Sequence, residues 1–475
     1  MRKLRNFFAG RLFPCALLFL LVLVAGAVLA VTIPRILAPL AALERIFAAA
    51  VAIAVVRSDA LPAVKESKLV LILLLPWTGS FLCLLMRDPP RTPLPAPLRT
   101  GKTLPEQLGA LIGDADAGTC GAASAQYFPV GKEMRLRLLG DIKRAKKCIF
   151  LEYYIVAEGV FLRELVTLLR VKASEGVDVR LIADGFGCSL TLPKRARKRL
   201  TEAGIAVCVF RPVRLCGFNR RDHRKIAVID GEIAYTGGMN LADEYVGEEI
   251  RFGNWKDTAV RVTGGAAERF YRLFCATWNR LSPENPLPMS EVSPSESGIP
   301  CAVFSDTDSA KDPRTGVRVL TKLFSSATHS LYLNTPYLAL DKTLFNLLET
   351  AAGAGTDVRV MIPHIPDKKT VFLLTRDYAR RLGRAGVKVR EYTAGFLHAK
   401  SAVIDGKYAL VSSYNLDYRS LYVQAECGVF LEDEALSGEM ERDFLSCWEL
   451  GTELPPQKFW EKPICSILRL FAPLV

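Results

Sequence analysis

Two stretches of the chain carry nearly the same sequence: residues 223–241 read HRKIAVIDGEIAYTGGMNL, and residues 398–416 read HAKSAVIDGKYALVSSYNL. Each copy begins with a histidine, has a lysine two residues later and an aspartate five residues after that lysine, so both have the form H-x-K-x4-D. A chance match of this density, which includes every reactive residue type, is improbable. The chain therefore contains an internal duplication, and this duplication decides the fold.

The sequence around the two copies repeats as well, with small changes of spacing. Strand-like and helical patterns follow one another in the same order in both halves: residues 148–155, 161–173 and 176–182, then residues 330–337, 344–354 and 355–361. This alternation predicts an α/β fold made of two duplicated α-β-α sandwich domains. A duplication of this kind predicts a pseudo-twofold axis between the domains, across which the two motifs could meet at one interface.

Composition shifts divide the chain into four segments. We expect a membrane anchor of two or three helices over residues 1–88 and a proline-rich linker and loop over residues 89–125. Prolines between Pro89 and Pro105 exclude a regular helix there, and the Gly/Ala/Asp-rich residues 109–125 read as loop or short helix. The first α/β domain is expected at residues 126–285. The second is expected at residues 286–475, after a Pro/Ser-rich boundary.

Three apolar stretches precede the linker. The first, residues 12–34, is uncharged and as a helix would extend about 34 Å, enough to cross a bilayer. Residues 69–86 are also uncharged and just long enough. Residues 36–56 carry Glu44 and Arg45 at their middle, each at an insertion cost of about 2.5–3.5 kcal/mol. That second stretch could span the membrane or lie at its interface.

Basic residues lie on both sides of this apolar region. Arg2, Lys3, Arg5 and Arg11 precede it, and Arg87, Arg91, Arg99 and Lys102 follow it. Because cytoplasmic flanks collect lysine and arginine, the pattern favours two full spans in the plasma membrane and a cytoplasmic C-terminal part. Three spans would place that part outside, and a cleaved secretory signal at residues 25–27 is the rival interpretation of the first stretch.

Net charge and cysteine spacing restrict the class of protein. The formal charge of +13 favours an anionic partner, although charge alone does not choose among nucleic acid, anionic lipid and a phosphate-bearing substrate. The twelve cysteines contain no C-x-x-C spacing, which argues against a zinc site. Most lie in apolar runs, so we expect them to be reduced and buried, in a domain facing a reducing compartment.

The motif residues suit phosphoryl transfer. On a strand, a histidine and a lysine two residues apart project from one face towards the same spot, and Asp-Gly ends the strand in a turn. Phosphodiester exchange requires a nucleophile, a general acid and fixed cations for the phosphate oxygens. Two copies supply all of these, so we predict the catalytic set His223, Lys225, Asp230, His398, Lys400 and Asp405.

A second set of residues is predicted to support the chemistry. Backbone, hydroxyl and amide donors for the phosphate are expected from Gly238, Asn240, Ser413 and Asn415. Each histidine needs an acceptor that fixes its tautomer. Asp257, 34 residues past His223, and Glu426, 28 residues past His398, are the candidates. No metal is expected, because the neighbouring lysines repel a cation, and no cofactor is implied. The chain has two further histidines, His329 and His364, which lack this context and are expected at the surface or behind the site.

The duplicated motif resembles the phospholipase D superfamily, and with the apolar N-terminus the chain is similar to the bacterial cardiolipin synthases. The resemblance covers nearly the whole chain and includes residues 150–154, 183–187, 219–247, 255–258, 334–337, 362–367 and 396–420. It implies two phospholipase D-like domains and the conversion of two phosphatidylglycerol molecules into cardiolipin and glycerol through a phosphohistidine. By analogy, His223 is the nucleophile and His398 the general acid and base; the sequence alone does not break the symmetry between them.

The chain departs from the superfamily pattern at a few positions. Ala259 stands where a histidine is usual, Gln424 where an asparagine is usual, and residues 412–414 read Ser-Ser-Tyr. These positions leave open a phospholipase D-type hydrolase that uses water as the acceptor. A membrane-tethered nuclease is a third reading, but the sequence offers no aromatic platform for nucleic acid. The expected partners are phosphatidylglycerol and anionic membrane lipid rather than nucleic acid, and the oligomeric state is left open.

Overall fold

The computed structural model describes residues 20–27, 34–58, 60–86, 103–112, 118–211, 220–289, 298–306 and 315–474. These residues fall into two compact units, one formed by residues up to 86 and the other by residues from 103 onward. The first unit is helical. The second contains both motif copies.

Within the described part of the N-terminal unit, three helices pack on one another: α1 (Pro34–Arg57), α2 (Pro62–Leu74) and α3 (Pro76–Leu85). Residues 20–27 are also helical. Apolar side chains from all three helices form a small core: Ala48, Val51, Val55, Ile72 and Cys83. The charged Lys68 is buried in this unit, and its Nζ donates to the carbonyl oxygen of Met86 at 3.0 Å.

The membrane expectations for this unit are met only in part. Among the described residues, one helix is long and apolar enough to cross a membrane, Pro39–Arg57 within α1, which is the stretch with the central charges. The stretch at residues 69–86, expected to span, is corrected to parts of two helices, because Pro76 has no N–H and disfavours helix at Leu75. The stretch at residues 12–34 lies largely outside the described residues, of which residues 20–27 are helical.

The second unit alternates strands and helices as the duplication predicts. After α4 (Leu104–Ile112), the first half consists of β1 (Gly118–Phe128), α5 (Gly131–Arg144), β2 (Cys148–Tyr153), α6 (Val160–Ser174), β3 (Asp178–Asp184), α7 (Lys194–Glu202), β4 (Ala206–Phe210), β5 (Lys225–Ile229), β6 (Ile233–Gly237), a 3-10 turn (Asp243–Val246), β7 (Asn254–Lys256), β8 (Ala259–Gly264) and α8 (Gly265–Leu281).

The second half repeats this order with a few additions. It consists of β9 (Ile299–Asp306), α9 (Thr315–Ser325), β10 (Ser330–Asn334), β11 (Leu338–Ala339), α10 (Lys342–Gly353), β12 (Asp357–Pro363), α11 (Lys369–Arg384), β13 (Lys388–Tyr392), β14 (Gly395–Leu397), β15 (Ser401–Ile404), β16 (Tyr408–Ser412), β17 (Leu416–Asp417), α12 (Tyr418–Tyr422), β18 (Glu426–Glu432), α13 (Glu434–Glu449), β19 (Gly451–Thr452), α14 (Glu461–Phe471) and a 3-10 turn (Ala472–Leu474).

One sheet runs through both halves. Among the described residues it has 15 strands in the order β19-β13-β12-β10-β15-β16-β18-β9-β1-β8-β6-β5-β2-β3-β4. Read outward from the antiparallel β9–β1 pair, the two sides have matching strands, with β15 opposite β5 and β10 opposite β2. This order has the pseudo-twofold arrangement that the duplication predicts, and helices cover the sheet to give a mixed α/β architecture.

The strand β1 lies where a loop was expected. Residues 118–125, assigned to the linker and loop, are strand because their small side chains allow close pairing with both β8 and β9. Cys120 faces Cys301 across that pairing, with the two Sγ atoms 3.0 Å apart. The ten cysteines in the described part of the chain are all free thiols and nine of them are buried, in agreement with the expectation of reduced, apolar positions.

Candidate active site

Each motif histidine is attached to the opposite half of the molecule by backbone hydrogen bonds. The N–H of His223, just before β5, donates to the carbonyl of Ala425 at 2.8 Å, and the N–H of Ala425 donates to the carbonyl of Arg221 at 2.9 Å. The N–H of His398 donates to the carbonyl of Lys256 at 2.7 Å. The duplicated halves therefore exchange short strand-like segments, and this exchange brings the two motifs to one interface.

The carboxylate partners of the histidines are crossed between the halves. Nδ1 of His223 lies 2.9 and 3.0 Å from the two carboxylate oxygens of Glu426. Nδ1 of His398 lies 2.6 Å from Oδ2 of Asp257. The sequence located both carboxylates, but its pairing of each with the histidine of its own half is wrong. The physical reason is the strand exchange, since Ala425 and Lys256, which bind the two histidines, are the neighbours of Glu426 and Asp257.

Both histidines are held in the neutral form. Burial holds the pKa of His223 well below its ordinary value, and the charges of Lys225 and Lys400 act in the same direction. The pKa of His398 is lowered by burial and by the same two lysines. With a carboxylate accepting from Nδ1–H, a neutral imidazole presents the lone pair of Nε2 to a substrate. Each ring can then act as a nucleophile or as a base.

Buried contacts hold the two carboxylates in place. Burial raises the pKa of Glu426 and that of Asp257, while the charges of the nearby lysines oppose this rise and favour the ionised carboxylates. The hydroxyl of Ser420, on the short helix α12, donates to Glu426 at 2.5 Å. The N–H of Thr258 donates to Asp257 at 2.8 Å. Each carboxylate thus has a second hydrogen-bond donor besides its histidine.

The two motif lysines lie beside the histidines and are almost completely buried. Nζ of Lys225 donates to the carbonyl oxygen of His223, and Nζ of Lys400 donates to that of His398. Burial lowers the pKa of Lys225 to about 8 and that of Lys400 to about 7. An anion that entered the site would raise both pKa values, because it would favour the charged ammonium forms.

The motif aspartates lie away from the histidines. Asp230 and Asp405 follow β5 and β15, so each lies at the strand end opposite its motif histidine, seven residues or roughly 23 Å further along the extended chain. Both adopt positive φ, 56° and 52°, in the turns that end these strands. The carboxylate of Asp230 accepts from the N–H groups of residues 146–148, and that of Asp405 from residues 328–330. Their position corrects the expectation that they act on the substrate.

The other predicted phosphate donors are mostly engaged within the protein. Oδ1 of Asn240 accepts from Ile155 at 3.0 Å, and its Nδ2 donates to the hydroxyl of Tyr245 at 2.7 Å. The hydroxyl of Ser413 both donates to and accepts from the backbone of Cys427. The backbone N–H of Asn415 donates to the hydroxyl of Ser420 at 2.8 Å. Asn240, Ser413 and the backbone of Asn415 therefore shape the surroundings of the histidines and their carboxylates, whereas Oδ1 of Asn415 is buried without a hydrogen-bond partner among the described residues.

Gly238 has a steric role in the site. Its N–H donates to the carbonyl of Thr258 at 3.1 Å, so it is not a free phosphate donor. A Cβ at this position would overlap the carboxylate of Asp257. Glycine is required there because the Asp257 side chain passes directly over the backbone to reach His398.

Several residues around the histidines were not predicted from the sequence. The ring of Tyr154 meets His223 edge-on at 4.7 Å, and the rings of Tyr245 and Trp255 each lie 5.4 Å from His398. Lys368, at the start of α11, contributes positive charge that lowers the pKa of both histidines. These residues come from four separate parts of the chain, and Tyr154, Tyr245 and Trp255 were noted only within family motifs. A search for polar residues adjoining the repeated strands could have found Lys368.

The arrangement can exchange groups at a phosphodiester. It combines two neutral imidazoles, each oriented by a carboxylate, with two buried lysines on strands that are equivalent in the duplicated fold. One imidazole can attack phosphorus while the other carries the proton of the leaving or entering alcohol. The fold and the site thus define a two-histidine phosphodiesterase or phosphotransferase built by duplication.

Comparison with known proteins identifies the family. Residues 138–250 and 320–448 match the model described as "Cardiolipin synthase, PLD-like domain". A cardiolipin synthase of Halalkalibacterium halodurans is 34% identical over 364 residues, 73% of this chain and 71% of that protein. A cardiolipin synthase of a Geobacillus species is 33% identical over 388 residues, 78% of this chain and 75% of that protein. The chain belongs to the phospholipase D-like cardiolipin synthase family.

A solved structure supports the fold. The crystal structure of phosphatidylserine synthase from Haemophilus influenzae superimposes with a TM-score of 0.57, covering 75% of this chain and 94% of that one. The sequence identity is 14%, so the likeness concerns the fold alone.

Proposed function

We propose that the protein is a cardiolipin synthase, a phosphatidyltransferase that converts two phosphatidylglycerol molecules into cardiolipin and glycerol. The single observation that carries this proposal is the pair of buried histidine–carboxylate contacts, His223–Glu426 and His398–Asp257, with Lys225 and Lys400 beside them. Membership of the cardiolipin synthase family selects phospholipid as the phosphodiester.

In the first step, Nε2 of His223 attacks the phosphorus of one phosphatidylglycerol. A nitrogen–phosphorus bond forms while the bond from phosphorus to the glycerol oxygen breaks. His398, which takes up a proton from water at Nε2 when the phosphate anion enters the site, gives that proton to the glycerol oxygen. The products are a phosphatidyl-histidine and free glycerol. Lys225 and Lys400 lie beside the two histidines and can neutralise the phosphate oxygens, whose negative charge grows in the transition state.

In the second step, a hydroxyl of the second phosphatidylglycerol head group replaces the glycerol. His398, now with a free Nε2, takes the proton of that hydroxyl as its oxygen attacks phosphorus. The oxygen–phosphorus bond forms, the nitrogen–phosphorus bond breaks, and cardiolipin leaves. His223 returns to its starting state, and His398 regains the proton that it gave away.

The assignment of His223 as nucleophile rests on analogy and is supported by an asymmetry between the copies. Arg224, next to His223, is fully buried and pairs with Glu152 at 2.7 Å and with Asp222 at 3.0 Å. The equivalent residue beside His398 is Ala399. A paired cluster of buried charges fixes its strand in one position. Such rigidity suits the residue that carries the covalent phosphatidyl group.

The motif aspartates are proposed to stabilise the fold. Asp230 and Asp405 each bind three successive N–H groups of the segment before β2 or β10, which fixes the turn after the motif strand. In Asp405, burial alone would raise the pKa, but the donated hydrogen bonds outweigh it, and the pKa of its carboxyl is lower than usual. The ionised form is thus the one bound in the turn.

Membrane attachment is proposed for the N-terminal part. The apolar helix Pro39–Arg57 and the family's lipid substrate support an association with the plasma membrane. We retain residues 1–88 as a multi-pass anchor and the boundary between two cytoplasmic domains at residues 285 and 286. The linker expected at residues 89–125 is shortened at its end, because α4 and β1 belong to the first α/β domain. Reporter fusions after residue 95 test this placement: a periplasmic or extracellular signal there would overturn the cytoplasmic location.

The reaction is tested with the purified full chain in detergent and phosphatidylglycerol as the lipid. Cardiolipin and glycerol in equal amounts are expected, whereas phosphatidic acid alone would indicate hydrolysis and absence of lipid turnover would refute both activities. His223→Ala and His398→Ala should each abolish synthesis with the fold intact. His329→Ala, at an exposed histidine outside the site, is the matched control and should keep full activity.

The roles of the two histidines are tested with a lipid whose leaving group needs no proton, such as the phosphatidyl ester of 4-nitrophenol. With this donor, His398→Ala should release one equivalent of nitrophenolate and accumulate the phosphatidyl-enzyme. His223→Ala should release none. The reverse pattern would exchange the assigned roles of the two histidines.

A further inference from the structure

The last helix of the chain, α14, exposes an apolar stripe. Trp460, Ile464 and Ile467 follow at spacings of four and three residues, which places them on one face of the helix. Their exposed fractions are 43%, 40% and 59%, and the preceding Phe459 is 84% exposed. Single exposed apolar residues are ordinary on protein surfaces, but a continuous apolar stripe with two aromatic rings is typical of a surface that binds another protein or a membrane.

The opposite face of α14 is fixed to the body of the protein. Glu461 pairs with Arg380 of α11 at 3.5 Å, and Arg469 pairs with Asp377 of the same helix. The Sγ of Cys465, a buried residue, lies 3.7 Å from the carbonyl oxygen of Leu373. The apolar stripe is therefore presented by an anchored helix with one buried face and one exposed face.

The surroundings of the stripe are basic. Lys458 and Lys462 flank it and are exposed, and the Lys458 ammonium lies 5.8 Å from the centre of the Trp460 ring. The helix α11 beneath it carries five basic residues and one acidic residue, Asp377: Lys369, Arg376, Arg380, Arg381 and Arg384. An apolar stripe bordered by lysine, with an aromatic ring at one end, has the composition of a helix that lies in a lipid headgroup layer.

This surface adjoins the candidate active site. The 3-10 turn that continues α14 packs on α12, which carries Ser420, the hydrogen-bond donor to Glu426. The helix α11 starts directly after Lys368, whose charge acts on both histidines. A membrane that contacted α14 would therefore lie close to α12 and α11, the two helices that lead to Ser420 and Lys368 at the candidate active site.

The first half has exposed apolar residues and basic residues at its corresponding edge. Phe186 and Leu190, in the loop between β3 and α7, are exposed. The helix α7 that follows is the counterpart of α11 in the sheet order and carries five basic residues and one acidic residue, Glu202: Lys194, Arg195, Arg197, Lys198 and Arg199. Basic helices thus begin beside the site in both halves.

We propose that α14, with Phe459 and Trp460, lies in the headgroup layer of an anionic phospholipid bilayer and turns its apolar stripe towards the acyl chains. The basic residues around the stripe select a negatively charged surface. They also disfavour a second copy of this chain as the occupant, because two basic faces would repel each other. The helix holds the site at the bilayer surface, where a lipid head group can enter while its acyl chains stay in the membrane.

The binding test uses the full chain reconstituted in phosphatidylglycerol vesicles, with or without bromine on the acyl chains. Bromine quenches tryptophan fluorescence at short range, and Trp460→Phe identifies the share of the signal that belongs to Trp460. That share should be quenched in brominated phosphatidylglycerol vesicles and less in brominated phosphatidylcholine vesicles. A Trp460 signal that brominated phosphatidylglycerol leaves unquenched would overturn the proposal, as would burial of Trp460 in a dimer of the chain.

The activity test compares two forms of the substrate. Ile464→Asp/Ile467→Asp should raise the KM for phosphatidylglycerol in vesicles about ten-fold or more, because two apolar side chains no longer enter the bilayer. With a soluble short-chain phosphatidylglycerol, KM and kcat should stay unchanged. The matched control is Val171→Asp on α6, an exposed apolar helical residue near the amino ends of the strands and away from the histidines. Equal effects on both substrate forms, or on neither, would contradict the proposal.

The activity arm rests on the proposed function, since it requires turnover of phosphatidylglycerol, but the fluorescence arm does not. Quenching of Trp460 without any cardiolipin synthesis would uphold the membrane surface and refute the proposed reaction. Synthesis of cardiolipin without quenching would do the opposite.

Discussion

Glu426→Gln is the most informative single substitution, because it tests the crossed pairing of histidines and carboxylates. In the native protein both carboxylate oxygens of Glu426 lie within 3.0 Å of Nδ1 of His223, and neither is accessible to solvent. Glutamine keeps the size of the side chain and can still accept one hydrogen bond. It loses the negative charge that fixes the tautomer of His223 and stabilises the ring as it acquires positive charge in forming the nitrogen–phosphorus bond.

The size of the effect follows from the hydrogen bond that is weakened. A hydrogen bond to a charged group contributes about 1.5–3 kcal/mol. If this free energy is lost only from the transition state, attack of His223 on phosphorus becomes slower by about 10-fold to 150-fold. Ser420→Ala removes a neutral donor to the same carboxylate, together with the acceptor of the Asn415 N–H, so it should slow the step by about 10-fold or less.

The assay separates the two steps of the reaction. With the 4-nitrophenyl lipid, Glu426→Gln should slow the release of nitrophenolate, which reports attack by His223. Asp257→Asn should leave that release nearly unchanged and slow the transfer of the phosphatidyl group to the second phosphatidylglycerol, in which His398 is the base. If Asp257→Asn slows nitrophenolate release while Glu426→Gln does not, either the crossed pairing or the assignment of roles is refuted. The His398→Ala experiment tells these two apart.

Three further predictions concern binding, stability and site geometry. The KM for phosphatidylglycerol should be low below about pH 7 and rise as the pH passes 8. The cause is that the free enzyme loses the ammonium charges of Lys400 and Lys225 in that range. A KM that stays constant up to pH 9 in steady-state assays would contradict this prediction. Asp230→Ala should lower the free energy of unfolding by about 2 kcal/mol, because three N–H groups lose their acceptor. The fraction of protein that remains folded should keep its kcat. A catalytic role of Asp230 would instead reduce kcat without changing the denaturation midpoint. Gly238→Ala should reduce synthesis at least as much as Asp257→Asn, since the added methyl group displaces the Asp257 carboxylate; full activity in product assays would show that this carboxylate can move without consequence.

The duplication allowed most of the fold to be predicted from the sequence. The repeated strands and helices are local patterns, and the corresponding strands of the two halves occupy equivalent places on the two sides of the sheet. The strand β1 was missed because its glycines and alanines carry no strand periodicity. It forms because small side chains fit between β8 and β9. The break at Pro76 was also missed, since composition alone made residues 69–86 look continuous.

The site was predictable in its residue types but not in its connections. His223, His398 and the two lysines follow from the motif, and Asp257 and Glu426 were recognised as the acidic partners. Which carboxylate binds which histidine depends on the exchange of backbone hydrogen bonds between the halves, and spacing along the chain carries no information about it. The motif aspartates were wrongly assigned to catalysis because a reactive residue that recurs in both copies suggests a chemical role. A turn that needs a positive φ favours aspartate as well, so the same residue recurs for a structural reason.

The crossed carboxylates also bear on how such a protein could arise. A single copy of the repeat, standing alone, would have a histidine without its acid and an acid without its histidine. One copy could complete both pairs only by associating with a second, identical copy. In the duplicated chain the exchange is internal, so the two copies need not be identical, and they differ at Asp257 against Glu426 and at Arg224 against Ala399. Neither half alone contains a complete histidine–carboxylate pair.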